Sequence, residues 1–506
     1  MEDCIFAKSV EKWGVFEAAV KGRTEGNPFS DYTIEGSFVS DSEEVTVNGF
    51  YDGEGSYKVR FMPSYAQTYH FSIQGSFSEE KFTGEFKVTE PTGNNHGPVK
   101  VRDKVKLVYE DGTPYQSFGT TCYVWALQNE ELQKETLKTL ENSPFNKIRF
   151  CVFPKHYLYN FHEPISYPYE GTPCKFSGEN FVLFGEGAIP EGNHWNFTRF
   201  NTEHFTHLEE CIEKLMALGI EADIILMHPY DRWGFSKMGL ENENYYLKYV
   251  VSRFAAYRNI WWSMANEYDL FFHKPVENWE ENAKVVSEND PYHHLNSIHN
   301  CFNFYDYSRP WITHCSAQRT ELYRTTELTD ELLNTYGKPV VWDEICYEGN
   351  INYAWGNISG EELTRRFWQA FLRGGHAGHG ETYLGHEDIL WWSHGGKLYG
   401  DSPARIKFLS DLLEEVPGKL LTYKKMEWDE TVGKAVGMAG EAYYLHYYDR
   451  YRPSFRDFKL EEEKKYQVDV IDTWNMTIAN AGTFSGKFRI DLPGKEFMAI
   501  RIKEIG

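Results

Sequence analysis

The sequence lacks several features that would place it in other protein classes. No run of about 18 apolar residues could span a bilayer, and residues 1–20 lack the basic segment and apolar run of a secretion signal. The eight cysteines include no CxxC pair, and Cys122, Cys151, Cys211 and Cys346 lie within or beside apolar segments. This pattern favours reduced thiols over disulfides or zinc ligands. We therefore expect a soluble, cytoplasmic protein.

Positive charge is scarce. The chain has 52 Lys and Arg against 75 Asp and Glu, which gives a net charge of −23. A field of this sign repels phosphate groups, so we expect neither a nucleic acid nor a membrane as a partner. The oligomeric state stays open, and a homo-oligomer is compatible with the sequence. No motif indicates a metal or an organic cofactor.

Aromatic residues are abundant, at 17% of the chain with 15 tryptophans. A large hydrophobic core would explain them. Sugar rings offer a second explanation, since their C–H faces pack on aromatic rings and their hydroxyls bind indole and phenol groups. The composition is compatible with a carbohydrate substrate but does not choose between these explanations.

Alternating strands are predicted at both ends of the chain. Segments such as "YTIEGSFVS" and "YHFSIQGSF" alternate apolar and polar residues and are separated by turn residues, which predicts an immunoglobulin-like β-sandwich over residues 1–103. After Pro417 and Gly418 the alternation returns, for example in "YQVDVIDTW". We therefore predict a second β-sandwich over residues 417–506.

Strands and helices alternate between these two regions. Leu208, Cys211, Ile212, Leu215 and Met216, for example, form one face of a helix. Eight such strand-helix units in about 310 residues predict a (β/α)8 barrel over residues 104–416. The eight predicted strands are FGTTCYVW (118–125), FNKIRFCVF (145–153), ADIILMH (222–228), NIWWSMANE (259–267), LNSIHN (295–300), WITHCSAQ (311–318), PVVWDE (339–344) and AGHGETYL (377–384).

Two of these strands end in carboxylates. The fourth ends in Asn266 and Glu267, and the seventh ends in Glu344. Functional groups of a (β/α)8 barrel collect at the C-terminal ends of its strands, so the two glutamates are expected to face one mouth from nearly opposite walls. Taken alone, Asn-Glu after an apolar strand could simply begin a helix. The occurrence of both pairs at strand ends favours catalysis.

Strand alternation predicts where the neighbouring side chains point. In the fourth strand it places Ser263 on the same side as Glu267, with Trp262 facing the helices. In the seventh strand it places Trp342 on the same side as Glu344, with Asp343 pointing away.

Two facing carboxyl groups suit the cleavage of an acetal. One can protonate the leaving oxygen while the other stabilises the positive charge that develops on the anomeric carbon. At a separation of about 5–5.5 Å the second group attacks directly and configuration is retained, whereas at roughly 6.5–9.5 Å a water fits between and configuration inverts.

Residues 104–416 resemble the clan A glycoside hydrolases, which place Asn-Glu after the fourth strand and a nucleophilic Glu after the seventh. The order of sandwich, barrel and sandwich is also similar to uncharacterised bacterial glycosidases of the apiosidase-like group. This resemblance implies that Glu267 is the acid/base, that Asn266 donates to the sugar 2-hydroxyl, and that Glu344 is the nucleophile. It also implies a retaining double displacement on oligosaccharides or small glycosides.

The same resemblance implies further substrate-binding residues. Arg149, on the second strand, matches an arginine near the nucleophile. His228, after the third strand, resembles a substrate histidine. His299, near the end of the fifth strand, is a further candidate to bind substrate. Trp391 and Trp392 lie beyond the eighth strand and resemble a sugar platform.

One part of the clan pattern is missing, and two other functions stay open. The clan often has a Tyr or His from the sixth strand in contact with the nucleophile, but this strand offers only His314 or Gln318. A metal-dependent barrel hydrolase is one alternative, because His228, His294, His299 and His314 fall near strand ends. The first strand, however, carries no His-x-His pair. A non-catalytic carbohydrate-binding protein is the other alternative.

Overall fold

The computed structural model describes residues 4–157, 159–175, 191–321, 324–384, 390–425 and 435–505. None of the helices in these ranges is both long enough and apolar enough to cross a membrane.

The central sheet has eight parallel strands, which confirms the eight predicted strands and the (β/α)8 class. They are β1 (Phe118–Thr121), β2 (Lys147–Cys151), β3 (Glu221–Ile225), β4 (Ile260–Ser263), β5 (Leu295–Ser297), β6 (Cys315–Gln318), β7 (Val340–Glu344) and β8 (His376–His379). Their order in the sheet is β5-β4-β3-β2-β1-β8-β7-β6.

The barrel is nearly closed. Its gap lies between β5 and β6, which are not joined by a regular ladder of hydrogen bonds. Isolated hydrogen bonds join them instead. Ser297 Oγ donates to the carbonyl of His314 at 2.6 Å, and the backbone N–H of Thr313 donates to the carbonyl of Asn296 at 2.8 Å.

Helices follow the strands and surround the sheet. The stripe predicted from Leu208 to Leu215 is buried in the second long helix, and Gly219, with a φ of +73°, lies just beyond its end. The α-helices are Pro28–Asp31, Glu130–Glu141, Thr202–Ala217, Leu240–Phe254, Val276–Asn289, Thr329–Tyr336, Gly360–Leu372, Trp391–His394 and Ser402–Glu414. Single 3-10 turns are Trp125–Leu127, Phe235–Lys237, Tyr268–Leu270, Thr326–Leu328, Ala354–Gly356 and Pro417–Lys419.

The N-terminal region folds into two packed sheets around a phenylalanine-rich core. One sheet contains Cys4–Phe6, Phe16–Lys21, Phe50–Tyr51 and Ser56–Phe61, and the other contains Ser9–Glu11, Ile34–Val39, Glu44–Asn48, Thr68–Gly75 and Lys81–Thr89. All but one of the strand pairs are antiparallel. Ser9–Glu11 pairs in parallel with the end of Lys81–Thr89, and residues 4–11 contribute one strand to each sheet.

The C-terminal region forms antiparallel sheets that pack beside the barrel. The larger sheet contains Thr422–Tyr423, Ala435–Ala439, Tyr443–Tyr447, Tyr466–Asp472, Thr477–Phe484 and Met498–Glu504, and a second pair contains Phe455–Lys459 and Lys487–Asp491. Two further pairs near the barrel are Tyr169–Thr172 with His194–Phe200, and Glu348–Gly349 with Glu381–Thr382.

A short hairpin closes the N-terminal end of the barrel. Its strands, Val99–Arg102 and Lys106–Tyr109, pack with Trp261 and Val341 in one apolar cluster. The hairpin spans the predicted boundary between residues 103 and 104. The boundaries at residues 103/104 and 416/417 stay predictions.

Candidate active site

The backbone after β4 has an uncommon conformation that positions Glu267. Its φ and ψ are 52° and 60°, in the left-handed region, which costs a non-glycine residue about 1–2 kcal/mol. The Asn266 backbone N–H donates to the carbonyl of Met227 at 2.9 Å, and the Glu267 carbonyl accepts from the N–H of Leu270 at 3.0 Å. These bonds hold the sharp turn that separates Glu267 from the strand. The alternation predicted for β4 is confirmed, since Trp262 Nε1 donates outward to Asp290 and Ser263 faces Arg149.

The alternation predicted for β7 is wrong. Trp342 Nε1 donates outward to Thr329 Oγ1 at 2.7 Å, and Asp343 points into the barrel, where its Oδ1 lies 2.6 Å from Lys147 Nζ. The register explains the difference, because Ala317 pairs with Trp342 while the next residue, Gln318, pairs with Glu344. Asp343 is thus the extra residue of a bulge, and a bulge turns two successive side chains toward one side.

The strand ends surround a cavity of about 380 Å³ that contains both glutamates. This volume suits a small ligand. Its lining is mostly aromatic and apolar, with few polar groups. The lining residues are Tyr123, Lys155, Tyr157, Tyr230, Glu267, Leu270, Phe272, Cys301, Phe302, Gln318, Thr320, Glu344, Cys346, Tyr347, Ala354, Trp355 and Trp392.

Glu344 is surrounded by hydrogen-bond donors. The Tyr123 hydroxyl donates to its Oε1, Arg149 Nη1 lies 3.3 Å from the same oxygen, and His299 Nε2 lies 3.4 Å from it. Burial alone would raise the pKa of the Glu344 carboxyl, but the hydrogen bond and charge of His299 and the charge of Arg149 hold it below its usual range. Glu344 is therefore ionised at neutral pH.

Glu267 has a different environment. The Tyr230 hydroxyl donates to Oε2, Asn266 Nδ2 donates to the same oxygen at 3.2 Å, and Gln318 Nε2 donates to Oε1 at 3.2 Å. Burial and the negative charge of Glu344 raise the pKa of the Glu267 carboxyl, although the Tyr230 hydrogen bond opposes the shift. One cavity thus holds two carboxyls whose pKa values are moved apart.

A chain of polar groups orients His299. Its Nδ1 lies 3.2 Å from Ser316 Oγ, and the Ser316 hydroxyl donates to Asp343 Oδ2 at 2.5 Å. On the other side of the ring, Nε2 lies 3.0 Å from Gln318 Oε1 and also faces Glu344. The inward turn of Asp343 therefore helps to position the side chain that contacts Glu344.

Comparison with known proteins places this geometry in a family. The sequence family described as "Apiosidase-like, catalytic domain" matches residues 102–444. The chain belongs to the apiosidase-like family. The predicted resemblance and the predicted enzyme class, glycoside hydrolase, are confirmed at the level of this family. Two domains of unknown function, DUF5060 and DUF5605, match residues 9–76 and 428–503.

Solved structures agree with the apiosidase-like assignment. A crystal structure of a proposed glycoside hydrolase from Bacteroides vulgatus ATCC 8482 is 36% identical, with a TM-score of 0.90, and the match covers 99% of this chain and 100% of that one. A glycoside hydrolase family 5 structure from the same organism is 16% identical, with a TM-score of 0.60 and coverage of 81% and 94%, which shows likeness of fold alone. No functionally curated protein matches the chain.

The apiosidase-like pocket brings several of the predicted site residues together. Asn266 Oδ1 lies 3.2 Å from the Tyr123 hydroxyl and 3.3 Å from Arg149 Nη1, and Asn266 Nδ2 reaches Glu267. Trp392 lines the cavity. Asn266 therefore contacts Glu267 directly, and it also contacts the Tyr123 and Arg149 side chains that bind Glu344.

The lining of the cavity does not include Asn266, Arg149 or His299, nor two other predicted residues, Trp391 and His228. Trp391 is buried, and its Nε1 donates to Thr120 Oγ1 at 2.8 Å. His228 is also buried, with Nε2 placed 3.2 Å from the carbonyl of Phe153, and burial lowers its pKa to about 3. Both contacts are within the protein, so a substrate-binding role for either residue stays a prediction.

Sequence reasoning missed Tyr123, Tyr230 and Lys155, and it left the sixth strand unassigned. The structure places Gln318 at the mouth, in contact with Glu267, while His314 lies buried with Nδ1 3.0 Å from Thr313 Oγ1. The tyrosine that touches Glu344 comes from the end of β1 instead. Its position near the C-terminal end of the predicted first strand was the only available signal.

A metal-dependent reaction gains no support from these contacts. Within the described ranges, no group of three or more His, Cys, Asp and Glu side chains could hold a metal ion. His294, one of the histidines considered for this role, has Nε2 2.8 Å from the carbonyl of Ala255, away from the mouth.

Proposed function

We propose that this protein is a retaining glycoside hydrolase in which Glu267 is the acid/base and Glu344 the nucleophile. The observation that carries the proposal is the pair of buried carboxyls in one cavity, one held ionised and the other favoured in its protonated form. Pairs of carboxyls with pKa values pushed apart are typical of acid and nucleophile assignments in glycosidases.

In the first step, a Glu344 oxygen attacks the anomeric carbon while the bond to the leaving oxygen breaks. The Glu267 proton passes to that oxygen, so the alcohol leaves neutral and a glycosyl ester of Glu344 remains. Arg149 and Tyr123 hold the Glu344 carboxylate in place and limit its motion as it attacks.

In the second step, Glu267 acts as a base. It removes a proton from water, the water oxygen attacks the anomeric carbon, and the ester bond breaks to release ionised Glu344. Esterification removes the negative charge that raises the pKa of Glu267, so the group becomes a carboxylate when a base is needed.

The aromatic lining supports a carbohydrate as the substrate. Trp392 and Trp355 line the cavity with ring centroids 5.1 Å apart, and they offer apolar faces to the C–H side of a sugar ring. Asn266, between the two carboxyls, is the proposed donor to the sugar 2-hydroxyl. Trp355 joins Trp392 as a candidate platform residue.

We expect a bell-shaped dependence of kcat/KM on pH. Turnover needs ionised Glu344, whose pKa is lowered, so the rate falls only at strongly acidic pH. It also needs protonated Glu267, whose pKa is raised, so the rate falls again as pH rises through that value. Initial rates on an aryl glycoside across the pH range would measure both limbs. A profile flat from about pH 4 to 9 would count against this pair.

Glu267→Ala is the direct test of the acid/base role. On a panel of aryl α- and β-glycosides, pyranosides and furanosides alike, we expect kcat to fall about 10²–10⁴-fold. The loss should be smallest for dinitrophenyl leaving groups, which need no proton. Added azide should restore turnover and give a glycosyl azide of retained configuration, read by NMR.

Glu288→Ala serves as the matched control, because Glu288 is exposed and its ion pair with Lys284 is long, at 3.8 Å. It should keep wild-type kcat. An inverted product, or an azide-insensitive Glu267→Ala variant with full activity, would overturn the proposed mechanism.

A further inference from the structure

Lys155 is an ammonium group enclosed by aromatic rings at the edge of the cavity. Its Nζ lies 3.3 Å from the ring centroid of Tyr123, 4.3 Å from that of Tyr230 and 5.0 Å from that of Trp392. Its side chain is 97% buried, with a relative exposure of 3%, and it lines the cavity. Tyr123 and Tyr230 donate to Glu344 and Glu267, so Lys155 lies between the tyrosines that hold the two carboxyls.

This ammonium has no acceptor of its own. Its Nζ makes no hydrogen bond and no ion pair within the part of the chain that the structure describes. An ammonium carries three N–H donors, and burying them unsatisfied is costly. Cation–π contacts offset part of that cost but provide no oxygen acceptor. Because Lys155 lines the cavity, an acceptor that enters the cavity can reach this group.

The charge balance of the cavity indicates which acceptor. Arg149 contacts Glu344 directly and also lies 3.6 Å from Asp223, while burial and the charge of Glu344 raise the pKa of Glu267. Lys155 is the one Lys or Arg among the cavity-lining residues that the structure describes. Glu267 and Glu344 act on this charge through space, but neither carboxylate lies within 4.0 Å of Lys155 Nζ.

We propose that Lys155 binds the carboxylate of an acidic sugar, so that the enzyme selects glycosides containing a uronic acid. A hydroxyl would satisfy one N–H but leave the charge uncompensated, whereas a carboxylate forms charge-assisted hydrogen bonds and neutralises it. The proposal rests on the proposed function for the presence of a sugar in this pocket. The net charge of −23 slows the approach of any anion to the protein. It does not provide a hydrogen-bond acceptor for Lys155 Nζ inside the cavity.

The test is equilibrium binding of D-glucuronate and D-galacturonate, compared with D-glucose and D-galactose, by calorimetric titration at pH 6.5. We expect the wild type to bind at least one uronate about tenfold or more tighter than its neutral counterpart. Lys155→Met keeps the approximate length of the side chain but removes the charge, so it should abolish that preference. Lys155→Arg should keep a preference for the uronate.

A second measurement uses only the wild type, and so does not depend on the folding of a variant. Burial lowers the pKa of Lys155 to about 8, so the uronate preference should decline as pH rises through this region. The charged groups and the thiol that act on Lys155 include Cys151, Glu267, Glu344 and Arg149, and His228 is also coupled to it. The phenols of Tyr123, Tyr157 and Tyr230 surround its Nζ.

Binding needs no turnover, so this test is separate from that of the mechanism. If both glutamate variants kept their activity while the uronate preference stayed intact, the catalytic assignment would be overturned and the role of Lys155 would not. Equal affinity for acidic and neutral sugars in the wild type, or an unchanged preference in Lys155→Met, would overturn the role of Lys155.

Discussion

Glu344→Gln should lower kcat by about 10⁴-fold on any glycoside that the wild type hydrolyses. The amide has nearly the same shape and can still accept from Tyr123, but it neither carries the negative charge nor forms the glycosyl ester. Arg149 keeps a second buried partner, since its Nε lies 3.6 Å from Asp223, so the barrel should fold normally. Steady-state kinetics measure the loss, and the melting temperature reports on folding.

Trapping of the ester supplies the control for this prediction. A 2-deoxy-2-fluoro glycoside of the substrate sugar should label the wild type once, on the peptide that contains Glu344, and should leave Glu344→Gln unlabelled. Glu288→Gln should be labelled like the wild type, since that carboxyl is exposed on the helix Val276–Asn289 and does not line the cavity. Activity of Glu344→Gln within tenfold of wild type, or a label on another residue, would contradict the nucleophile assignment.

The strands of the barrel could be predicted because their local pattern agrees with their final environment. Most of the predicted strands are short runs followed by a helix, and a parallel strand buried on both faces needs little else. The fifth strand departs from this pattern, because residues 298–314 between β5 and β6 contain no helix. The positions of Glu267 and Glu344 followed from the same pattern, since strand ends in such a barrel converge on one face. The direction of Asp343 did not follow, because the bulge of β7 is set by its pairing with β6 and not by its own sequence.

The remaining contacts of the pocket depend on distances that a sequence does not contain. His314 directly precedes β6 and Gln318 ends it, so about 13 Å of extended chain separates them and only Gln318 lies at the mouth. To decide which of the two side chains reaches the active site, one must know at which residue the strand reaches the C-terminal face of the barrel. Tyr123, Lys155 and Tyr230 come from three different strand ends, and each one alone resembles an ordinary aromatic or surface residue.

Lys147→Met should destabilise the protein by about 3–5 kcal/mol. Lys147 Nζ lies 2.5 Å from Asp223 Oδ2 and 2.6 Å from Asp343 Oδ1, and all three side chains are buried within the barrel. Methionine fills a similar volume but leaves two buried carboxylates without their shared cation. Urea unfolding followed by tryptophan fluorescence would measure the change in midpoint.

Two comparisons separate this effect from a simple loss of packing. Lys134→Met removes an exposed lysine whose 2.6 Å ion pair with Glu130 lies at the surface, and its cost should stay below about 1 kcal/mol. The double variant Lys147→Met/Asp343→Asn should recover part of the stability lost in Lys147→Met, because it removes one of the two uncompensated charges. A stability of Lys147→Met within about 1 kcal/mol of wild type would show that the two aspartates do not rely on Lys147. In that case the ion pair with Lys147 would not be what positions Asp343. The contacts from Asp343 through Ser316 and His299 to Glu344 would then have to be maintained by other interactions.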